Sequence, residues 1–236
     1  MRGSLGSGDA AVDDVTVHCC SLGPATPPLA PPLMPPPSTP PAPPSPPTPR
    51  NAFYDFDTGF TSAGGQGWTT RETGTGSSKV YPFLRRSTRT PSSSTGPSGG
   101  YCSSNSAGCS GNYFFYIETS SPRTSGEKFR LSYDGTTLCA GGTIGTIDFK
   151  WHMYGASMGT LNVTTGAGVT AWTQSGNTGN SWNSADGISI DSSSFYFEGV
   201  RGSSYTGDAA VDDVTVHCCT EPPSPPGLPP LPPVPP

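Results

Sequence analysis

Two pairs of carboxylates are the residues best placed for chemistry: Asp55-x-Asp57 at the start of the apolar body and Asp212-Asp213 at its end. If the first and last strands of a β-fold lie side by side, four acids meet near one sheet edge. Unpaired carboxylates at close range repel, so a hard cation is a natural companion, and Ca²⁺ accepts about six to eight oxygens, backbone carbonyls included. The competing reading is that these are solvated strand-end acids, turn caps or salt-bridge partners, and both stay open on the sequence. Glycoside hydrolysis is a poorer fit. A retaining glycosidase needs two carboxyl groups about 5–5.5 Å apart, and lectin-like jelly rolls that do this chemistry carry an E-x-D-x-E strand. Here Glu72, Glu118, Glu127, Glu198 and Glu221 each lack an acidic neighbour two residues away. His18 and His217 have no G-x-S-x-G segment around them, so neither reads as the base of a nucleophile.

The thiols point to a compartment. Cys102 and Cys109 bracket six residues, SSNSAG, a spacing that suits a local disulfide across a polar loop. Zinc would need two more ligands, and the body offers only His152 and His217; free thiols are the third possibility. Cys218 is in phase with Val214 and Val216 and faces the core, whereas Cys219 faces out. Disulfide-compatible spacing implies an oxidising compartment. The triplet Asn162-Val163-Thr164 agrees with this: Leu161 and Val163 point inward, so Asn162 points outward and can carry a glycan. Trp172 alternates out of phase with Val169 and Ala171, which makes it the best exposed aromatic for a ligand, while Trp151 and Trp182 read as packing. Arg85-Arg86-x-x-Arg89 forms a basic cluster at the mouth of a long loop, where it meets acidic glycans or an acidic partner patch, or is simply solvated.

Short strands must position these groups. YFFYI (113–117), FRLSY (129–133) and IDFKWHM (147–153) alternate with period 2, and Gly, Ser, Asn and Thr clusters separate further apolar segments. In the last of these Ile147, Phe149, Trp151 and Met153 share one face, and Asp148, Lys150 and His152 the other. No helical stripe is sustained, so the pattern is all-β: a two-sheet antiparallel jelly-roll sandwich flanked by polyproline II or disordered segments. The Ser/Gly-rich stretch 87–111 reads as one extended loop, mobile or ligand-binding.

Of the 236 residues 29 are Pro, and all but Pro82, Pro91, Pro97 and Pro122 lie in 24–49 and 222–236. Residues 8–20 and 207–219 both read GDAAVDDVTVHCC. The simplest organisation is an array of one globular domain plus one Pro-rich linker: 1–20 as the truncated last strand of a preceding repeat, 21–50 as linker, 51–219 as the domain, 220–236 as the next linker. With 12 Lys+Arg against 17 Asp+Glu, net −5, there is no basic stripe for duplex nucleic acid. No apolar run approaches a membrane span. The start has no apolar core, so a signal peptide and any anchor are expected outside this chain.

Phe53-Tyr54-Asp55-Phe56-Asp57, Tyr113–Glu118, Trp151-His152-Met153-Tyr154-Gly155 with Met158-Gly159-Thr160-Leu161, Trp182 and Gly207-Asp208-Ala209-Ala210-Val211-Asp212-Asp213-Val214 follow in an order that resembles a MAM domain. That family is named for meprin, a neuronal receptor antigen and a receptor tyrosine phosphatase. The resemblance covers about 51–219. It implies a concanavalin-like jelly roll, an extracellular or cell-surface place, and adhesion or receptor assembly rather than catalysis. It implies a Cys139–Cys218 disulfide, and a structural calcium for which Asp57 and Asp212 match best, with Asp55 and Asp213 beside them. The family usually opens with a Cys where this chain has Asn51 and Ala52, so its first disulfide is absent or replaced. The expected partner is a cell-surface or matrix protein or glycan, copies of the chain itself included. Behind this reading stand a Pro-rich wall or matrix glycoprotein with the domain as a structural bead, and a glycan-active enzyme of lectin-like fold.

Overall fold

The computed structural model describes residues 50–101, 113–140 and 142–219. The first GDAAVDDVTVHCC copy, both Pro-rich tracts and the Cys102/Cys109 pair lie outside the described residues. Thirteen strands follow in order: β1 (Asn51–Tyr54), β2 (Gly64–Gly65), β3 (Trp68–Thr69), β4 (Val80–Pro82), β5 (Leu84–Arg86), β6 (Phe114–Tyr116), β7 (Lys128–Asp134), β8 (Ile144–Met153), β9 (Thr160–Thr165), β10 (Thr170–Ser175), β11 (Asn183–Ser192), β12 (Ser194–Val200) and β13 (Ala209–Cys218). They form two sheets. Sheet A runs β11-β8-β13-β6-β5, with β1 also on β13; sheet B runs β10-β9-β12-β7-β3-β2, with β4 also on β7. Every pairing is antiparallel except β4 with β7.

The two sheets solve one problem in the same way. Each central strand has a long partner on one side and two short strands sharing its other edge end to end. β13 pairs β8 along its length, β6 at Ala210–Val211 and β1 at Val214–His217. The first and last strands are therefore neighbours.

Period-2 alternation builds the core. Ile147, Phe149, Trp151 and Met153 of β8 point at sheet B, and Phe195 and Phe197 of β12 point back; all are buried. Phe149 meets Phe197 edge to face at 5.0 Å, and Trp68 is ringed by Tyr54, Phe56, Tyr133, Phe195 and Phe197. Burying one such side chain contributes ~1.5–3 kcal/mol. Two glycines of the Met153–Leu161 connection allow close backbone approach. Gly155 sits at φ 142°, and a Cβ there would strike the Thr206 carbonyl. A Cβ on Gly159 would strike the Val200 carbonyl.

Local irregularity overturns one expectation. Thr170 pairs Thr164, but Trp172 pairs Val163, so Ala171 is an extra residue on β10. A bulge reverses the alternation beyond it. Trp172 thus faces inward, 5.1 Å from Phe149 and 5.5 Å from Trp151 between centroids, and packs on the core. It is not an outward-facing binding aromatic.

Candidate functional site

The acid pairs converge through two departures from regular strand. After Tyr54, which pairs Val214, the chain leaves β1; Phe56 takes φ 59° and buries its ring. The Asp57 N–H donates to Asp55 Oδ1 at 3.0 Å. On β13, Asp212 pairs Lys150 and Thr215 pairs Asp148, so three steps on β13 match two on β8. The bulge falls at Asp213, φ 45°. Asp212 shares the outer face of sheet A with its partner Lys150 and is covered there, 1% exposed, while Asp213 is half-buried.

Backbone N–H groups, rather than cations, hold these carboxylates. Asp212 Oδ2 accepts from the Tyr101 N–H at 2.7 Å and Asp212 Oδ1 from the Asp213 N–H at 2.8 Å. Asp57 Oδ1 accepts from the Tyr113 N–H at 2.7 Å. Burial, then the neighbouring Asp213 charge, pushes the Asp212 carboxyl well above its ordinary range; Asp57 adds to this and the hydrogen bonds oppose it. Burial and Asp55 push Asp213 up to about 6, with Lys150 opposing. The cluster thus concentrates negative charge and carries an electrostatic cost that a cation would relieve. The charge fits a calcium ion. The spacing is not that of a closed cage, since no group of three or more His, Cys, Asp or Glu able to hold a metal is assembled among the described residues. Backbone carbonyls and water would have to complete any coordination.

The basic cluster does other work. Arg85 donates to the Phe56 carbonyl at 2.9 Å and the Asp57 carbonyl at 2.8 Å, and its guanidinium lies 3.4 Å from the Tyr113 ring centroid. It fixes the turn that carries Asp57 and is not free for a ligand. Arg86 donates to the Arg89 carbonyl. Only Arg89 is exposed, so the three do not form one basic patch.

The described part of the stretch after β5, 87–101, is anchored to the body. Thr90, Thr95, Gly96 and Pro97 are buried, and Trp182 Nε1 donates to the Gly99 carbonyl at 3.2 Å. Trp182 joins Phe114, Tyr116 and Ala210 in a second, smaller cluster on the outer side of sheet A. This cover buries His152, 2% exposed, although its alternation with Asp148 and Lys150 put it on the solvent face. Burial pushes His152 down to about 4, against a hydrogen bond with Asn180.

Asp208 was not visible as a site residue. It is fully buried; Oδ1 accepts from the Thr119 N–H at 3.1 Å and the Thr119 hydroxyl at 2.9 Å, and its own N–H donates to Thr95 Oγ1. Burial, then Glu118, pushes its carboxyl up to about 6. Its presence in the repeated GDAAVDD segment was the available signal. Cys139 and Cys218 are bonded, closing a loop of 79 residues' separation, and Cys219 is exposed with no disulfide partner among the described residues. Asn162 lies on β9 with Oδ1 accepting from the Thr173 hydroxyl at 2.7 Å. No helix among the described residues is long and apolar enough to cross a membrane.

The profile of a family described as MAM domain, meprin/A5/mu matches residues 67–220. The MAM domain-containing glycosylphosphatidylinositol anchor protein 2 of Mus musculus is 34% identical over 163 residues, 63% of this chain and 16% of the relative. The corresponding anchor protein 1 of Rattus norvegicus is 40% identical over 113 residues, 44% of this chain and 12% of the relative. The chain therefore spans less than a fifth of the length of these relatives. Among solved structures, the CBM22-1–CBM22-2 tandem of Paenibacillus barcinonensis Xyn10C aligns with TM-score 0.39 and 14% identity, over 75% of this chain and 46% of that one. Likeness at that level carries no argument about ligands.

Proposed function

The chain belongs to the MAM domain family, and from that premise we propose that it is an extracellular, non-catalytic recognition module that joins its protein to another cell-surface or matrix molecule, its own copies included. The observation that carries this is the family match over residues 67–220. The Cys139–Cys218 disulfide supports an oxidising, extracytoplasmic place, as do relatives named for a glycosylphosphatidylinositol anchor. The test is to coat beads with the full chain and follow their aggregation and their capture by cells that display it. Specific self-aggregation or cell capture is expected. A chain that is folded and oxidised yet inert in both assays overturns the reading. In that case the Pro-rich tracts would favour the structural-bead alternative.

We also propose that a calcium ion draws on Asp57 and Asp212, with Asp55 and Asp213 near it. The support is electrostatic: a carboxylate as buried as Asp212, faced by like charges, is stabilised when a divalent cation neutralises them. Residues 8–20 are read as the end of a preceding unit of the same kind, because they repeat β13 and its flanks residue for residue. Coding sequence upstream that carries further family motifs at the spacing found here would bear this out; unrelated sequence there would refute it.

A further inference from the structure

The outward side of sheet B can be mapped from strand register. Asn162 pairs Thr173 of β10 on one side and Glu198 of β12 on the other, and Glu198 pairs Arg130 of β7. In the next row Thr164 pairs Tyr196, and Tyr196 pairs Ser132, which pairs Thr69 of β3. Side chains at paired positions share a face, so these residues form one polar floor opposite the Phe195, Phe197, Leu161 and Val163 side. Asn162 stands on β9, one strand in from the β10 edge. It is half-exposed, and its hydrogen bond to Thr173 uses Oδ1 rather than Nδ2, the nitrogen a sugar would occupy.

We propose that Asn162 carries an N-linked glycan and that this glycan covers the outward face of sheet B, leaving the other surfaces of the domain for partner contact. Three observations on this chain combine here. Asn162-Val163-Thr164 is an acceptor triplet. The strand phase directs Asn162 away from the core, with Leu161 and Val163 both fully buried. The surrounding floor is hydroxyls, a phenol and charged groups, so sugar hydroxyls that lose water against it find hydrogen-bond partners in exchange. In the transfer, Asn162 Nδ2 attacks C1 of the sugar joined to the pyrophosphate of a lipid-linked oligosaccharide. The new C–N bond forms as the C–O bond to phosphate breaks; lipid pyrophosphate leaves and a base of the transferase takes the amide proton. Thr164 is 6% exposed and its strand lies between β10 and β12. The triplet is thus accessible only before β9 pairs, so the modification precedes folding.

The inference rests on the extracellular reading above. The test expresses the full chain behind a secretory leader in eukaryotic cells and maps its peptides before and after a peptide:N-glycosidase. Conversion of Asn162 to Asp by the enzyme is expected, lost in both N162Q and T164A and retained in T164S. Hydroxyl-radical labelling of Tyr196 should rise several-fold once the glycan is removed. Folded, unglycosylated chain should not be modified by microsomes. Unmodified Asn162 in secreted chain whose Cys139–Cys218 bond is formed overturns the site, while bead or cell binding by the same protein would leave the recognition reading standing. Unchanged Tyr196 labelling overturns the covering of the face. Modification of the prefolded chain overturns the order of events.

Discussion

Two regions of this sandwich bury carboxylates, and they do it in opposite ways. On sheet B, Glu198 is only 8% exposed, yet it lies between two cations: Lys128 Nζ at 3.0 Å and Arg130 at 3.4 Å. At the β1–β13 edge, Asp212 is more deeply buried, and its neighbours are Asp213, Asp57 and Asp55. Both are buried; the sign of the surroundings differs. On a regular strand, register alone sets a charge opposite its complement, as Glu198 is set opposite Arg130. At the edge, a left-handed turn at Phe56 and a bulge at Asp213 bring like charges together, and backbone N–H groups from Tyr101 and Tyr113 keep them there. A fold spends stability on such an arrangement when something else restores it, and a divalent cation is the natural candidate.

The largest expected effect comes from unclamping the edge. The Cys139–Cys218 bond ends β13 five residues beyond Asp213. Replacing both cysteines by Ser should lower the unfolding free energy by ~4 kcal/mol in chemical denaturation, given the 79-residue separation. It should also weaken the pH dependence that distinguishes the acid cluster. A loss under about 1 kcal/mol would mean the ladder to β8 and the Tyr101–Asp212 hydrogen bond hold β13 without the disulfide.

Calcium sharpens the contrast next. Free calcium at about a hundred times Kd should stabilise the chain by ~2.7 kcal/mol relative to chelator. D212N should abolish that gain and E198Q should keep it. An unchanged melting curve in millimolar calcium would leave the four acids as caps and turn formers.

A pH series in chelator should give a change on the order of 1–2 kcal/mol, less than the shifts alone imply because Asp213 is only half-buried. Asp208 and Asp213 have folded pKa values near 6, above the ordinary ~3.9. The stability they contribute on protonation is fully present below the ordinary value and is lost as pH rises through about 6. Asp212 acts in the same direction. His152, pushed down to about 4, acts oppositely: its contribution is lost as pH falls from about 6.5 toward 4. Three acids outweigh one imidazole, so metal-free protein should be more stable at pH 5 than at pH 7, and D213N should flatten the profile. Steady loss of stability from pH 7 to 5 in chelator would contradict the described cluster.

The smallest effect belongs to sheet B. E198Q should cost under about 1 kcal/mol, because Lys128 and Arg130 have side chains 51% and 36% exposed and rehydrate readily. A larger loss would mean the Lys128–Glu198–Arg130 row is a desolvated network.

How much of the acid site could be read ahead of the structure depends on which contacts are local. First and last strands commonly lie side by side in a jelly roll, so Asp55, Asp57, Asp212 and Asp213 could be named together from the chain alone, and the β1–β13 pairing joins them. Their partners could not. Tyr101 and Tyr113 reach the carboxylates through backbone N–H groups, which carry no residue signature. Arg85 reads as part of a basic patch because its neighbours are basic, yet it serves the Phe56 and Asp57 carbonyls across 29 and 28 residues. Asp208 gave no local hint of its burial, since Thr119 and Thr95 come from distant loops.

The amino-acid sequence by itself determined the all-β architecture, the inward faces of β8, of β9 at Leu161 and Val163, and of β13 from Val214 to Cys218, and the family, because alternation and motif spacing are properties of neighbouring residues. Tertiary structure alone decided where alternation breaks. The Ala171 bulge turned Trp172 inward, the Asp213 bulge placed Asp212 and Asp213 differently on one edge, and Trp182, tied to the Gly99 carbonyl, covered His152 on what alternation marked as a solvent face. A bulge exchanges one ladder hydrogen bond for a change of direction, and its position depends on what the partner strand offers. That information lies on another strand, far along the chain, and enters only when the two meet.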